Sequence, residues 1–152
     1  MSILICYDGS ESAKHLLAVT EKVVGNASTV LLNVWSPPER VLADAFADRQ
    51  DDGGPTYDEL ETWVRERAAD TLNDGQTLAG SLGLAVTPRS ERNRSTVPDT
   101  ILEIADELDA ELIVTGTHGT TAVQPGLLGS VSGAVVHRAR RPVLVVPKDS
   151  DR

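Results

Sequence analysis

The sequence predicts an α/β fold, a parallel β-sheet with helices packed on both faces. Three observations carry this expectation. Short apolar runs rich in strand formers recur at 3–7, 30–35, 112–115 and 143–146. Between them, apolar residues return every three or four positions, the spacing of one helix face. The strand runs are nearly continuous rather than alternating, which marks strands covered on both sides and hence a parallel sheet. Crossovers between such strands are right-handed.

Taken in order, Ile3-Leu4-Ile5-Cys6-Tyr7 is the first strand, broken by Asp8-Gly9-Ser10. Ala13, Leu16, Leu17, Thr20, Val23 and Val24 then mark a helix, with Ser10 as N-cap and Gly25-Asn26 as stop. Residues 30–35 form the second strand. A long polar connection over 37–55 follows, rich in Asp and Gly; the acidic stretch 39–70 reads as a solvated face and loop, with a lid over a ligand as its sharper reading. A long helix comes next, with Tyr57, Leu60, Val64, Ala68, Leu72 and Leu78 as its inner face and Gly80 and Gly83 at its end. Leu84 to Arg89 is more polar and suits a sheet edge. Pro98 fits the first turn of a helix whose apolar face is Ile101, Ile104, Ala105 and Leu108. Leu112 to Thr115 is a strand, and a Gly-rich loop runs from 116 to about 129. Val131, Val135 and Ala139 mark a short helix stopped by Arg141-Pro142, and Val143 to Val146 is the last strand.

The 152 residues match one domain, spanning 1–152, on the usual size of about 100–200 residues. Fourteen Lys and Arg against 23 Asp and Glu give a net charge of −9. A chain this acidic repels nucleic acid and anionic membrane as general partners. The single cysteine, Cys6, rules out an intrachain disulfide and reads as an inert strand residue. No apolar run approaches the ~20 residues of a membrane span, and the first residues carry no export signal, so a cytoplasmic protein is expected.

In open α/β sheets ligands bind beyond the carboxyl ends of the strands, where the strand order reverses. Two strand ends carry unusual chemistry: Tyr7-Asp8-Gly9-Ser10, and Thr115-Gly116-Thr117-His118-Gly119 with Gly126, Gly129 and Ser130 to follow. Glycines let backbone N–H groups approach an anion without a Cβ in the way. Gly129-Ser130-Val131-Ser132 opens a helix, whose first N–H groups lack partners and whose dipole favours negative charge. The Ser130 and Ser132 hydroxyls are candidate further donors, and His118 a candidate phosphate contact. Asp8 accepts only, which suits a ribose hydroxyl or a metal-bound water, though a helix-capping carboxylate is an equal reading. His15 is expected at the solvent face of the first helix. His137, Arg138, Arg140 and Arg141 form a basic run that suits a helix C-terminus. Trp35 and Trp63 are expected to pack.

These residues resemble the universal stress protein family. Gly116-Thr117-His118-Gly119, nine residues and then Gly129-Ser130 reproduce the G-x2-G-x9-G-(S/T) pattern of its nucleotide-binding branch. Asp8-Gly9-Ser10 resembles its first-strand signature, and Arg141 to Pro147 its last strand. The likeness implies a three-layer α/β/α fold: an open parallel five-stranded sheet of order 3-2-1-4-5, Rossmann-like and adenine nucleotide alpha hydrolase-like. It also implies ATP in the crevice between strands one and four, with Mg or Mn near the phosphates and no metal ligand from a side chain. Asp8 would then meet ribose or adenine, the Val34 backbone the adenine edge, and Gly116 the ribose. Gly119, Gly129, Ser130, Val131 and Ser132 would hold the phosphates, with Tyr7, Thr115 and His118 completing the ATP-binding set. The last strand, Val143, Leu144, Val145 and Val146, would form the edge of a homodimer. The family often has a Gly before the third helix and a basic residue after the second motif glycine; here Thr96-Val97 and Thr120 stand in those places.

No G-x4-G-K-[ST], G-x-G-x-x-G after the first strand, or G-x-S-x-G is present. A P-loop ATPase, a dinucleotide site and an α/β-hydrolase are therefore disfavoured. No general base is evident, so an ATP-dependent regulator with at most slow hydrolysis and no assigned catalytic residue is the leading expectation. A slow ATPase or nucleotidyl enzyme using Asp8 or His118, and an interaction protein holding AMP or cyclic AMP, are its rivals.

Overall fold

The computed structural model describes residues 1–39, 53–118 and 127–149. The elements run β1 (Ser2–Cys6), α1 (Glu11–Val24), β2 (Ser28–Trp35), α2 (Tyr57–Ser81), β3 (Val86–Arg92), α3 (Val97–Glu107), β4 (Leu112–Gly116), α4 (Ser130–Arg138) and β5 (Val143–Val146). The sheet order is β3-β2-β1-β4-β5 and every pairing is parallel. Ile5 stands opposite Leu31 on one side and Val114 on the other, so β1 is the central strand.

Side chains alternate across a strand, and β1 shows what each face packs against. Ile3, Ile5 and Tyr7 join Leu31 and Val114 under Ala13, Leu16 and Leu17 of α1 and Leu72 and Ala79 of α2. Leu4 joins Leu32 and Ile113 under Ile101, Ile104 and Ala105 of α3 and Val135 of α4. The two apolar layers make the expected α/β/α arrangement.

Side chains fix where the first three helices start. Ser10 Oγ accepts from the Ala13 N–H at 3.2 Å to cap α1. Thr56 and Glu59 make a reciprocal capping box on α2. Thr96 Oγ1 accepts from the Asp99 N–H at 3.2 Å on α3, with Pro98 in its first turn.

Several expected boundaries and faces move. β1 stops at Cys6 and Tyr7 lies just past it; β2 begins at Ser28; β3 covers 86–92 rather than 84–89. Gly80 lies inside α2, which runs to Ser81 before Gly83. The buried face of α2 is Ala68, Leu72, Gly75 and Ala79, while Tyr57, Leu60 and Val64 are only half-buried. The reason is that only the C-terminal half of the helix lies over the sheet core. Trp63, on the half that overhangs, is 57% exposed instead of packed, with the Arg67 guanidinium 5.3 Å from its ring centre.

β3 is an edge strand, as its polarity predicts. Pro88 lies in it, where a missing N–H is tolerated. Arg89 reaches Glu91 and Glu107, and Arg94 reaches Glu103 and Glu107, so ion pairs clothe this border of the sheet. Two residues of the basic run near α4 are paired: Arg138 with Asp99, and Arg141 with Asp106 and the carbonyls of Ala105 and Ala110 at the end of α3. His15 is half-buried, its Nδ1 3.8 Å from Asp149. No helix among the described residues is long and apolar enough to cross a membrane.

Candidate functional site

β1 and β4 are neighbours, yet the chain leaves β1 for α1 on one face and β4 for α4 on the other. Their carboxyl ends therefore diverge, and a cavity of about 370 Å³ opens between them. Several segments of the chain build its wall.

The turn after β1 brings Tyr7 and Asp8 to the cavity wall. Gly9 makes the turn at φ +78°, a region that favours glycine, and a Cβ there would stand 2.8 Å from Thr71 Cγ2 of α2. The Asp8 Oδ1 accepts from the Ser10 N–H at 2.9 Å, and Ser10 rather than Asp8 caps α1. The exposed Asp8 carboxylate keeps its other oxygen for a ligand donor.

From β2, Leu32 and Val34 face the cavity, joined by Val97 and Ile101 of α3 in an apolar slot. Asn33 also lines it, a residue whose role no sequence motif announces. Its Nδ2 donates to the Tyr7 carbonyl at 2.8 Å. That bond holds the turn carrying Asp8 to the end of β2, where Val34 sits.

From β4 come Thr115, Gly116 and His118. The Thr117 carbonyl accepts from the Gly129 N–H at 2.7 Å and from Ser132 Oγ at 2.9 Å. These bonds tie residue 117 to the start of α4 across the base of the glycine loop. They also give the Ser132 hydroxyl a task other than the ligand contact expected of it, leaving its backbone N–H. Gly119, Gly126 and Thr120 of that loop, and residues 40–52 of the expected lid, lie outside the described residues.

The start of α4 differs from the other three helix starts. Gly129 is its N-cap, no side chain caps it, and its first turn holds no acid. The first turns of α1, α2 and α3 carry Glu11, Asp58 with Glu59, and Asp99. The first intrahelical bond of α4 is Gly133 N–H to the Gly129 carbonyl. The N–H groups of Ser130, Val131 and Ser132 thus stand at the cavity without intrahelical acceptors, at the positive end of the dipole. Two further polar atoms nearby are buried with no hydrogen-bond partner among the described residues, Ser12 Oγ and His118 Nε2.

Burial, and then the Asp8 charge, pushes the Cys6 thiol up to about 12. A raised thiol favours the folded state while it stays protonated. That contribution is intact below the unfolded thiol's ordinary 9.0 and is lost as pH climbs from there toward 12. Wild type is therefore expected to lose stability faster than Cys6→Ala across that alkaline window, read by denaturant midpoints at a series of pH values. Parallel slopes would contradict it.

Asp8 is the one carboxylate among the described residues of the cavity wall, and no cluster of three or more metal-ligating side chains occurs among the described residues.

The chain matches the sequence profile of the Universal stress protein family over residues 1–147. A universal stress protein of Thermus aquaticus is 32% identical over 149 residues, covering 95% of this chain and 97% of that one. A universal stress protein solved in complex with cAMP superposes with a TM-score of 0.65 at 21% identity, covering 97% of this chain and 96% of the other. The universal stress protein from Archaeoglobus fulgidus, solved in complex with dAMP, gives 0.60 at 23% identity, with coverage of 95% and 96%. Both structures share this fold.

Proposed function

The chain belongs to the universal stress protein family, and from that premise we propose that it binds ATP in the β1/β4 cavity and acts as a nucleotide-dependent regulator in the stress response. The observation that carries this reading is the polarity of the cavity. Its wall combines uncapped N–H groups of Ser130, Val131 and Ser132, which suit phosphate, with an acceptor, Asp8, which suits a ribose hydroxyl. Leu32, Val34, Val97 and Ile101 form an apolar slot that suits a purine face. The two relatives solved with cAMP and dAMP support an adenine nucleotide as the ligand class.

In this reading Gly116 lies by the ribose and Gly129 lets the phosphates approach the backbone, with Tyr7, Thr115 and His118 in the same shell. A Mg or Mn ion would be carried by the phosphate oxygens, with Asp8 the single side chain suited to meet it through water. When bound, the ion neutralises phosphate charge. In this reading the protein works as a binder with at most slow hydrolysis, and no catalytic residue is assigned. β5 has a sheet partner on one side only. Its half-buried Val143, Leu144 and Val145, with Val146, suit pairing with a second copy, giving a cytoplasmic homodimer.

Calorimetric titration with ATP, AMP and cyclic AMP, each with and without magnesium, tests the reading. Tightest binding for ATP supports it. Preference for AMP or cyclic AMP would favour the rival, an interaction protein holding a monophosphate, which the cAMP and dAMP complexes of its relatives recommend.

A further inference from the structure

We propose that His118 is the specificity-determining residue by which this cavity reads phosphate charge, so that ATP affinity follows His118 protonation. This rests on the nucleotide reading above and deepens it.

The cavity is built to attract an anion without a fixed cation. Among the described residues no Lys or Arg lines it, and the sequence of residues 119–126 contains neither. Among the described residues its donors apart from His118 are uncharged N–H and O–H groups. Asp8 adds a negative charge to the same wall, which opposes a triphosphate more than a neutral nucleoside. Among the described residues His118 is thus the one wall residue able to become positive, and histidine side chains as a class change charge between about pH 5 and 8.

Its surroundings leave one nitrogen without a partner among the described residues. Thr117 Oγ1 lies 2.8 Å from His118 Nδ1, while Nε2 is buried and unpartnered among the described residues. A buried polar atom without a partner costs about 1–3 kcal/mol, and a phosphate oxygen would remove that cost. With Thr117 donating to Nδ1, the neutral ring presents N–H at Nε2. Protonation makes Thr117 an acceptor and turns the Nε2 donor into a charge-assisted one.

Few titratable groups surround His118 among the described residues. The β1–α1 turn contributes Asp8, with Cys6 and Tyr7 beside it on the wall. The first turn of α4 contributes nothing titratable. Beyond β5, whose Val146 carbonyl accepts from the Thr117 N–H, Lys148 and Asp149 are exposed and outside the wall.

The test is calorimetric titration of metal-free ATP and of adenosine at about pH 6 and about pH 8, for wild type, His118→Gln and His118→Lys. The terminal phosphate of ATP also gains a proton near pH 6, so the slope is read as the difference between wild type and His118→Gln. Expected is a gain in wild-type ATP affinity of about tenfold at the lower pH beyond that of His118→Gln, with wild-type adenosine affinity flat. His118→Lys, always charged, should hold the high ATP affinity at both pH values. Equal slopes in wild type and His118→Gln would overturn the proposal, as would a parallel rise for adenosine. Absence of ATP binding by wild type at either pH would instead overturn the nucleotide reading beneath it. Melting curves of each variant establish that it is folded.

Discussion

Gly129→Val is expected to lower ATP affinity by about a hundredfold, the equivalent of losing two or three phosphate hydrogen bonds, while the protein still folds. Gly129 has φ −62° and ψ 166°, a conformation open to any residue, so the effect is not backbone strain. It comes from the side chain. A Cβ would meet the Thr117 carbonyl at 3.2 Å and Ser132 Oγ at 3.6 Å, and the branched γ carbons must go further into the space between residue 117 and the α4 start. That is where the anion would reach the N–H groups of Ser130 and Val131. Gly129→Ala separates the effects, because it adds the tight contact without filling the approach. Unchanged ATP affinity in Gly129→Val, measured by calorimetry, would mean that the phosphates bind elsewhere.

The second large effect concerns stability. Gly75→Val should destabilise the fold by about 3 kcal/mol, or roughly 6–12 °C in Tm. A glycine inside a helix costs about 1 kcal/mol relative to alanine, so its presence at the middle of α2 needs a reason. The ring of Tyr7 supplies it. A Cβ at position 75 would lie 2.6 Å from Tyr7 Cε1, 2.9 Å from Cζ and 3.0 Å from Leu31 Cδ2. Tyr7 is 4% exposed and precedes Asp8, so it cannot swing away without moving the turn that carries the carboxylate. Gly75→Val is therefore also expected to weaken nucleotide binding. A variant as stable as wild type in thermal unfolding would contradict this packing.

Much of this architecture is legible in the sequence because parallel strands are buried on both faces. Leu31-Leu32 and Ile113-Val114 sit at or near zero exposure, and such runs cannot be mistaken for alternating surface strands. The polarity of the 84–89 segment, with Thr87 and Arg89 in it, likewise marks an edge strand, which β3 is. The strand order came from the resemblance rather than from any periodicity. What spacing misses are contacts between distant segments. The face of α2 is set by where the sheet ends beneath it, so apolar Trp63 overhangs while Gly75 is buried. Within the candidate site, the glycine spacing and the helix start at Ser130 are readable from the sequence, and the fold brings Gly116, Gly129 and Ser130 to the same cavity wall as Asp8. Asn33 is not readable, because a polar residue inside a strand gives no hint that its amide reaches the Tyr7 carbonyl 26 positions away. The task of Ser132 is hidden for the same reason: its acceptor, the Thr117 carbonyl, lies 15 residues back.

The most direct test of the central claim, that an adenine nucleotide sits across the β1/β4 cavity with its phosphates on the start of α4, is an amide NMR titration of 15N-labelled protein with ATP. The largest shifts are expected at the N–H groups of Ser130, Val131 and Ser132, with a second set at Asp8 and Val34. Shifts confined to another surface, such as the Trp63 face of α2, or none under saturating ATP, would contradict it.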